Sequence, residues 1–254
     1  MPGQAFIKTQ SEKENLIARS FFYQMLSVLF RHPSLINETD SFKTNTSHWF
    51  EALWLLDGAK KEQLKGALKL LMDEIKKTPR AEWACQHENC FGHTAHGIVP
   101  SYELEYGQEQ SLREPHQLSD ISAFYHAFGL KINEKIHERV DHITVECEFM
   151  HFITYKEAYA IECGEEENAA ICNKASHRFL SEHLGRWAPS LAGRLSKQAK
   201  KGPIKYLADF TFLFVAQDCL SQGISHGPVD LSVRSNQEKE GPSCVSCCGK
   251  EKIC

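Results

Sequence analysis

Two groups of residues in this sequence bring chemically capable side chains into close succession. The first is Glu138-Arg139-Val140-Asp141-His142-Ile143-Thr144-Val145-Glu146-Cys147-Glu148-Phe149-Met150, where four carboxylates and an imidazole stand within eleven residues. An adjacent Asp and His on a helix, with further histidines elsewhere, can hold a metal that activates water, which would make the chain a helical metal-dependent phosphohydrolase. Against that reading, the doublet here runs Asp141-His142. The second group is Cys244, Cys247, Cys248 and Cys254, four thiols within eleven residues at the C-terminus. Such density is expected of a zinc or iron–sulfur site, although the adjacent Cys247 and Cys248 point apart and make four ligands around one tetrahedral zinc awkward. With such a site the chain would be a metal-binding assembly factor. Cys85, Cys90, His93 and His96 also invite a metal reading, but they lack the pair-plus-pair spacing of structural zinc sites. No G-x-G-x-x-G, Walker or G-x-S-x-G pattern occurs, so the usual nucleotide and acyl-transfer motifs are missing.

The elements that position these groups read as helices. Asp141 is the expected cap of a long central helix, its carboxylate suited to the open N–H groups and the positive dipole end of the first turn. At helical period Ile143, Cys147, Met150, Thr154, Ala158 and Ile161 fall on one side, with Val145, Phe149, Phe152 and Ala160 roughly opposite, so the helix is packed on two faces. Asp141, Thr144, Glu148, His151 and Tyr155 form a polar stripe between them, which either lines a groove or faces water.

Before it, apolar residues from Leu16 to Leu29 make a first helix stopped by His32-Pro33. Trp49 to Leu56 make a second, with Ser47 as a plausible cap, and Leu64 to Ile75 a third ended by Thr78-Pro79. Residues 80–116 form the least regular part, and 119–130 a short helix. After Gly164 come helices over 165–184, Trp187–Lys200 with Pro189 in its first turn, and Ile204–Leu220. No strand-like alternation or internal repeat is present. The expected fold is all-α, a single helical-bundle domain over 1–221 followed by a flexible, cysteine-containing tail over 222–254.

With 254 residues and 42% hydrophobic content the chain can bury one substantial core without staples. A net charge of −4 argues against a general nucleic-acid partner and suits a basic peptide. The N-terminus lacks an apolar core segment and the longest apolar run is too short to cross a bilayer, so a cytoplasmic location without membrane insertion is expected. Six cysteines scattered through helical segments agree with a reducing compartment.

The block from Glu138 to Met150 resembles the E-x-P-D-H-x-x-x-E-x-E-F-M signature of the TorD/DmsD/NarJ-type chaperones of molybdoenzyme maturation. Val99-Pro100-Ser101-Tyr102-Glu103-Leu104-Glu105-Tyr106 is similar to the family's P-x-Y-E-x-x-Y segment, and Phe179 to Pro189 to its F-L-x-x-H-L-x-x-W-x-P junction. The opening helix, Phe21 to Pro33, fits as well, and the four blocks keep the family's order over about residues 15 to 220. One departure is Val140, where the family usually has proline, which leaves the loop before the central helix without proline's fixed φ.

The resemblance implies a non-catalytic chaperone that needs no cofactor and acts as monomer or homodimer. Its partner would be a molybdoenzyme catalytic subunit, bound through its twin-arginine signal peptide during cofactor insertion and assembly before export. Asp141 and His142 are the implied peptide-binding positions, with Tyr102 and Glu103 in the other matching block. A peptide basic near its arginines calls for carboxylates beside an apolar trough. Glu138, Asp141, Glu146 and Glu148 supply candidates, with Tyr102 and Trp83 beside them.

Overall fold

A computed structural model describes residues 2–36, 46–92, 98–107, 114–132 and 138–234. The described residues form α-helices and isolated bridges, with no strand among them: α1 (Pro2–Leu29), α2 (Thr46–Leu55), α3 (Lys61–Lys77), α4 (Arg80–Phe91), α5 (Glu114–Ala127), α6 (Ile143–Glu162), α7 (Glu166–Phe179), α8 (Gly185–Gln198) and α9 (Pro203–Ser221). The expected all-α class is the observed one.

Local rules set most boundaries. In α3 the buried residues Leu64, Leu68, Leu71, Met72 and Ile75 repeat at helical period, Glu62 sits in the first turn and Lys76 and Lys77 in the last, each complementing the dipole. Thr78 ends it in extended conformation (φ −84°, ψ 121°), as a residue before proline must when the ring disfavours the helical region. α2 already includes Thr46, so Ser47 is inside the helix and not its cap.

α6 is packed on both sides. Ile143, Cys147, Met150 and Thr154 are fully buried, and so are Phe149 and Ala160 on the other face. α1 runs antiparallel along it, with Lys13 paired to Glu162 and Ser20 Oγ 2.8 Å from His151 Nδ1. Phe22, Tyr23, Phe210 and Phe214 pack between α1 and α9, while Phe124, Tyr125, Phe149 and Phe179 close the space between α5, α6 and α7. α1 is also clamped to α9 by a buried ion pair, in which Arg19 Nε donates to Asp218 Oδ1 at 2.6 Å and Tyr23 OH donates to Oδ2 at 2.5 Å.

The expected break between 184 and 187 is not there. α7 passes into α8 through one π turn, Leu180–Leu184, and Pro189 lies inside α8 rather than in its first turn. The close approach at its end requires a glycine, because a Cβ on Gly185 would stand 2.4 Å from the Leu180 carbonyl oxygen. Pro189 has no N–H for the carbonyl four residues earlier, that of Gly185. That carbonyl accepts instead from Gly227 N at 2.8 Å.

Residues 222–234, expected to open a flexible tail, therefore lie along the body as a strap. Ser190 Oγ donates to the Pro228 carbonyl (2.6 Å) and accepts from Leu231 N (2.9 Å), and Arg194 Nη2 donates to the Leu231 carbonyl (2.6 Å). The strap then pairs with the 102–107 segment through a Tyr106–Val233 bridge, with Gly107 N donating to the Ser232 carbonyl and Arg234 N to that of Glu105. The composition that reads as tail is real, but these anchors are backbone groups and the polar side chains of Ser190 and Arg194, which carry no hydrophobic period. The cysteines expected to bind metal, Cys244, Cys247, Cys248 and Cys254, lie outside the described residues.

Candidate functional site

Two of the sequence blocks meet at the N-terminus of α6. An antiparallel bridge joins Tyr102 to His142; Glu103 N donates to the Asp141 carbonyl and Ile143 N to that of Ser101, both at 2.9 Å. His142, not Asp141, is the cap of α6: its Nδ1 accepts from Thr144 N at 3.2 Å and lies 2.7 Å from Thr144 Oγ1. The physical reason is that the Asp141 carboxylate is already engaged elsewhere, by Arg139 and by Leu104 N, which donates to Oδ2 at 3.2 Å.

Around this junction stand Tyr102, Glu138, Arg139 and Glu105. Tyr102 OH donates to Glu138 Oε2 at 3.2 Å, and the Tyr102 ring stacks edgewise on His142 with centroids 5.0 Å apart. Glu138 Oε2 is 3.9 Å from His142 Nε2, too far for a hydrogen bond. Burial, helped by the neighbouring Glu138, pushes the Tyr102 phenol up to about 12, and burial raises the Glu138 carboxyl. Burial, then His87 and Arg139, brings His142 down to about 3, so its imidazole is neutral at physiological pH and its capping nitrogen remains an acceptor.

Beneath this surface lies an acidic core. Glu103 Oε2 is 3.1 Å from His183 Nδ1 at the π turn. Glu146 is fully buried, its Oε2 accepting from Trp187 Nε1 at 2.9 Å and its carboxyl beside that of Glu103. Burial first, then Glu103 and Asp141, hold the Glu146 carboxyl well above the usual carboxylate range. Oε1 has no partner if both carboxylates are taken as ionised. Protonated, it can donate to Glu103, and the orphan is resolved. Tyr125, above the same core, donates to the Val140 carbonyl at 2.8 Å, so the position that lacks proline is held by a tyrosine instead.

Of the expected peptide-binding residues, Asp141, His142, Glu138, Tyr102 and Glu103 are brought together here. Trp83 is buried in α4. Glu148 projects from α6 at 64% side-chain exposure, 3.7 Å from Arg31. The polar stripe does not line one groove: Thr144 is buried while Glu148 and Tyr155 face water. Glu146, expected beside a peptide, is inside the protein. Sequence reading missed Arg139, Glu105 and His183. Arg139 stands two residues from Asp141, a spacing that brings no side chains together on a helix and does so here because the chain bends before α6. Asp141 and His142 do not converge on a shared point, the first facing Arg139 and the second Thr144, which removes the geometry behind the phosphohydrolase alternative. Among the described residues no group of three or more His, Cys, Asp or Glu is arranged to hold a metal ion. Cys85 is exposed and Cys90 buried on α4, and His93 and His96 lie outside the described residues. No helix among the described residues is long and apolar enough to cross a membrane.

The chain is 32% identical over 118 residues to the perchlorate reductase assembly chaperone protein of Dechloromonas aromatica (strain RCB), covering 46% of this chain and 52% of that protein. It is 31% identical over 90 residues to the selenate reductase assembly chaperone protein of Thauera selenatis, covering 34% and 46%. It therefore spans about half the length of these two curated relatives. A longer, weaker similarity reaches the chaperone protein TorD of Vibrio vulnificus (strain YJ016), 24% over 217 residues, or 82% of this chain and 95% of that one. The family described as nitrate reductase delta subunit matches residues 57–193, from the turn after α2 to the middle of α8, and so includes every residue of the junction. With that match covering more than half of its length, the chain belongs to the nitrate reductase delta subunit family.

Proposed function

We propose that this chain is an assembly chaperone for a reductase, and that it receives the arginine-bearing N-terminal signal peptide of a molybdenum-containing catalytic subunit at the Tyr102–His142 junction. The relatives named as assembly chaperones of perchlorate and selenate reductases support the first part. The observation that carries the second is the junction itself, where the half-buried Glu138 and Tyr102 stand beside the buried carboxylates of Glu105, Asp141 and Glu146. A guanidinium needs such a combination of charge and π face. In this reading the chain acts in the cytoplasm, as monomer or homodimer, and performs no chemical step.

The test is co-purification with a tagged full-length copy and identification of what it retains, followed by calorimetry with the partner's N-terminal peptide. Glu138→Gln should weaken that binding roughly tenfold, since charge-assisted hydrogen bonds contribute about 1.5–3 kcal/mol. Glu138 is a better probe than Asp141, whose removal would strand Arg139. No retained reductase subunit would refute the chaperone reading. Unchanged affinity in Glu138→Gln and Tyr102→Phe, with helicity intact by circular dichroism, would remove the junction from the peptide site.

A further inference from the structure

Arg139 occupies the junction as a foreign arginine would. Its Nε donates to Asp141 Oδ1 at 2.9 Å and its Nη2 to Oδ2 at 2.7 Å, a bidentate fork. Its Nη1 donates to Glu105 Oε1 at 3.3 Å, and the guanidinium carbon lies 4.6 Å from the centre of the Tyr102 ring. Two carboxylates and a π face suit a planar guanidinium, which can fork onto a carboxylate and stack on a ring at once, better than an ammonium.

The walls and the occupant differ in depth. Asp141 and Glu105 have 0% and 6% of their side chains exposed, whereas Arg139 has 30%. The walls also have supports of their own: Asp141 accepts from Leu104 N, and the backbone of Glu105 accepts from Arg234 N of the strap. The carboxylates are therefore positioned by the bridges as well as by the arginine, and the arginine enters from the surface side. Burial lowers the preference of Asp141 for charge, so an empty site would be costly and some cation must fill it.

We propose that Asp141, Glu105 and the Tyr102 ring form a guanidinium-binding site which Arg139 fills from within the chain, and which an arginine of a guest polypeptide takes by displacing it. This rests on the reading of the junction as a receptor for an arginine-bearing peptide. Arg139 then sets the affinity: a guest binds only that fraction of molecules in which Arg139 has swung out, and its apparent affinity is reduced by the same fraction. While no guest is present, Arg139 keeps both buried carboxylates paired with a cation.

The experiment uses the full chain with Arg139→Ala, and Arg139→Lys as a second variant that keeps a cation without the fork. Methylguanidinium should raise the melting temperature of Arg139→Ala by more than methylammonium at equal concentration does, and by more than it raises that of the unsubstituted protein. An Arg-Arg decapeptide should bind Arg139→Ala at least roughly tenfold tighter than the unsubstituted protein, on the scale of one charge-assisted hydrogen bond, and a Lys-Lys decapeptide should show no such gain. If Arg139→Ala does not fold, Arg139→Lys carries the test, with a smaller gain in the same direction. Equal effects of methylguanidinium and methylammonium would overturn the proposal and leave an ordinary ion pair. Equal binding of the Arg-Arg peptide to both proteins would overturn displacement while sparing the peptide-receptor reading. Selective rescue by methylguanidinium with no peptide binding to either protein would uphold the guanidinium site and refute the peptide-receptor reading.

Discussion

Glu146→Gln isolates the protonation of the acidic core. Glu146 is fully buried, accepts from Trp187 Nε1 at 2.9 Å, and faces Glu103, with Asp141 adding a second nearby negative charge. Its carboxyl is raised from an ordinary value of 4.5 by burial first and these neighbours second. The folded protein therefore keeps a proton that the unfolded chain has lost once the pH exceeds about 4.5. Stability in that range must fall as pH rises, because the native state binds more protons than the unfolded one. One proton corresponds to about 1.4 kcal/mol per pH unit, up to the point where the folded carboxyl ionises. Glutamine has nearly the same shape, its carbonyl can accept from Trp187 and its amide can donate to Glu103, and it does not titrate. Urea unfolding of both proteins at pH 5, 6 and 7 cancels every other titrating group in the difference. The variant should gain on the parent as pH rises, by up to about 1.4 kcal/mol per unit for as long as the folded carboxyl stays protonated. A difference that stays constant over this range would mean that the carboxyl is ionised in the native state, and the assignment of the proton would be wrong.

His142 should show the opposite slope. Its imidazole is held down to about 3 in the fold against 6.5 when unfolded, so the unfolded chain binds the extra proton below 6.5 and stability is lost as pH falls; His142→Asn, which still caps, should remove up to about 1.4 kcal/mol per pH unit of that loss in urea unfolding between pH 6 and 5. Arg19→Met should cost about 3–5 kcal/mol by leaving Asp218 buried without its partner, measured by the same unfolding at pH 7. Gly227→Ala places a Cβ 1.9 Å from the Arg186 carbonyl oxygen, so the strap should let go; limited proteolysis should cut within 222–234 in the variant first, with the helical circular dichroism unchanged.

The helices were legible because their signals are local. The period of Leu64, Leu68, Leu71 and Ile75, the Thr78-Pro79 and His32-Pro33 stops and the two apolar faces of α6 all lie within one element and need no knowledge of what packs against it. The site was legible in part, through the blocks around Tyr102 and Asp141. Which of two adjacent cap-forming residues turns inward was not readable, since the choice is made by Leu104 N and by Arg139, one of them 37 positions away. The raised carboxyl of Glu146 depends on burial and on Glu103, brought beside it from a separate block, and the strap on the one carbonyl, that of Gly185, which a proline inside a helix has freed. Such facts belong to pairs of distant segments, and a sequence read alone shows them only as polar residues in unremarkable company.

The two bridges, Tyr102 to His142 and Tyr106 to Val233, also order events in time. They tie together three stretches of chain, the last of them separated from the first by most of the bundle. Closing loops of that length costs chain entropy before any contact repays it, whereas α8 against α9 or α6 against α7 joins neighbours in sequence. By the same measure the Tyr102–His142 bridge closes a shorter loop than the packing of α1 on α6 and α9, and of the two bridges it is the one to Val233 that waits on distant chain. Because Arg234 N supports the backbone of Glu105, the acidic side of the junction gains its last support only when the chain has been made as far as the end of the strap.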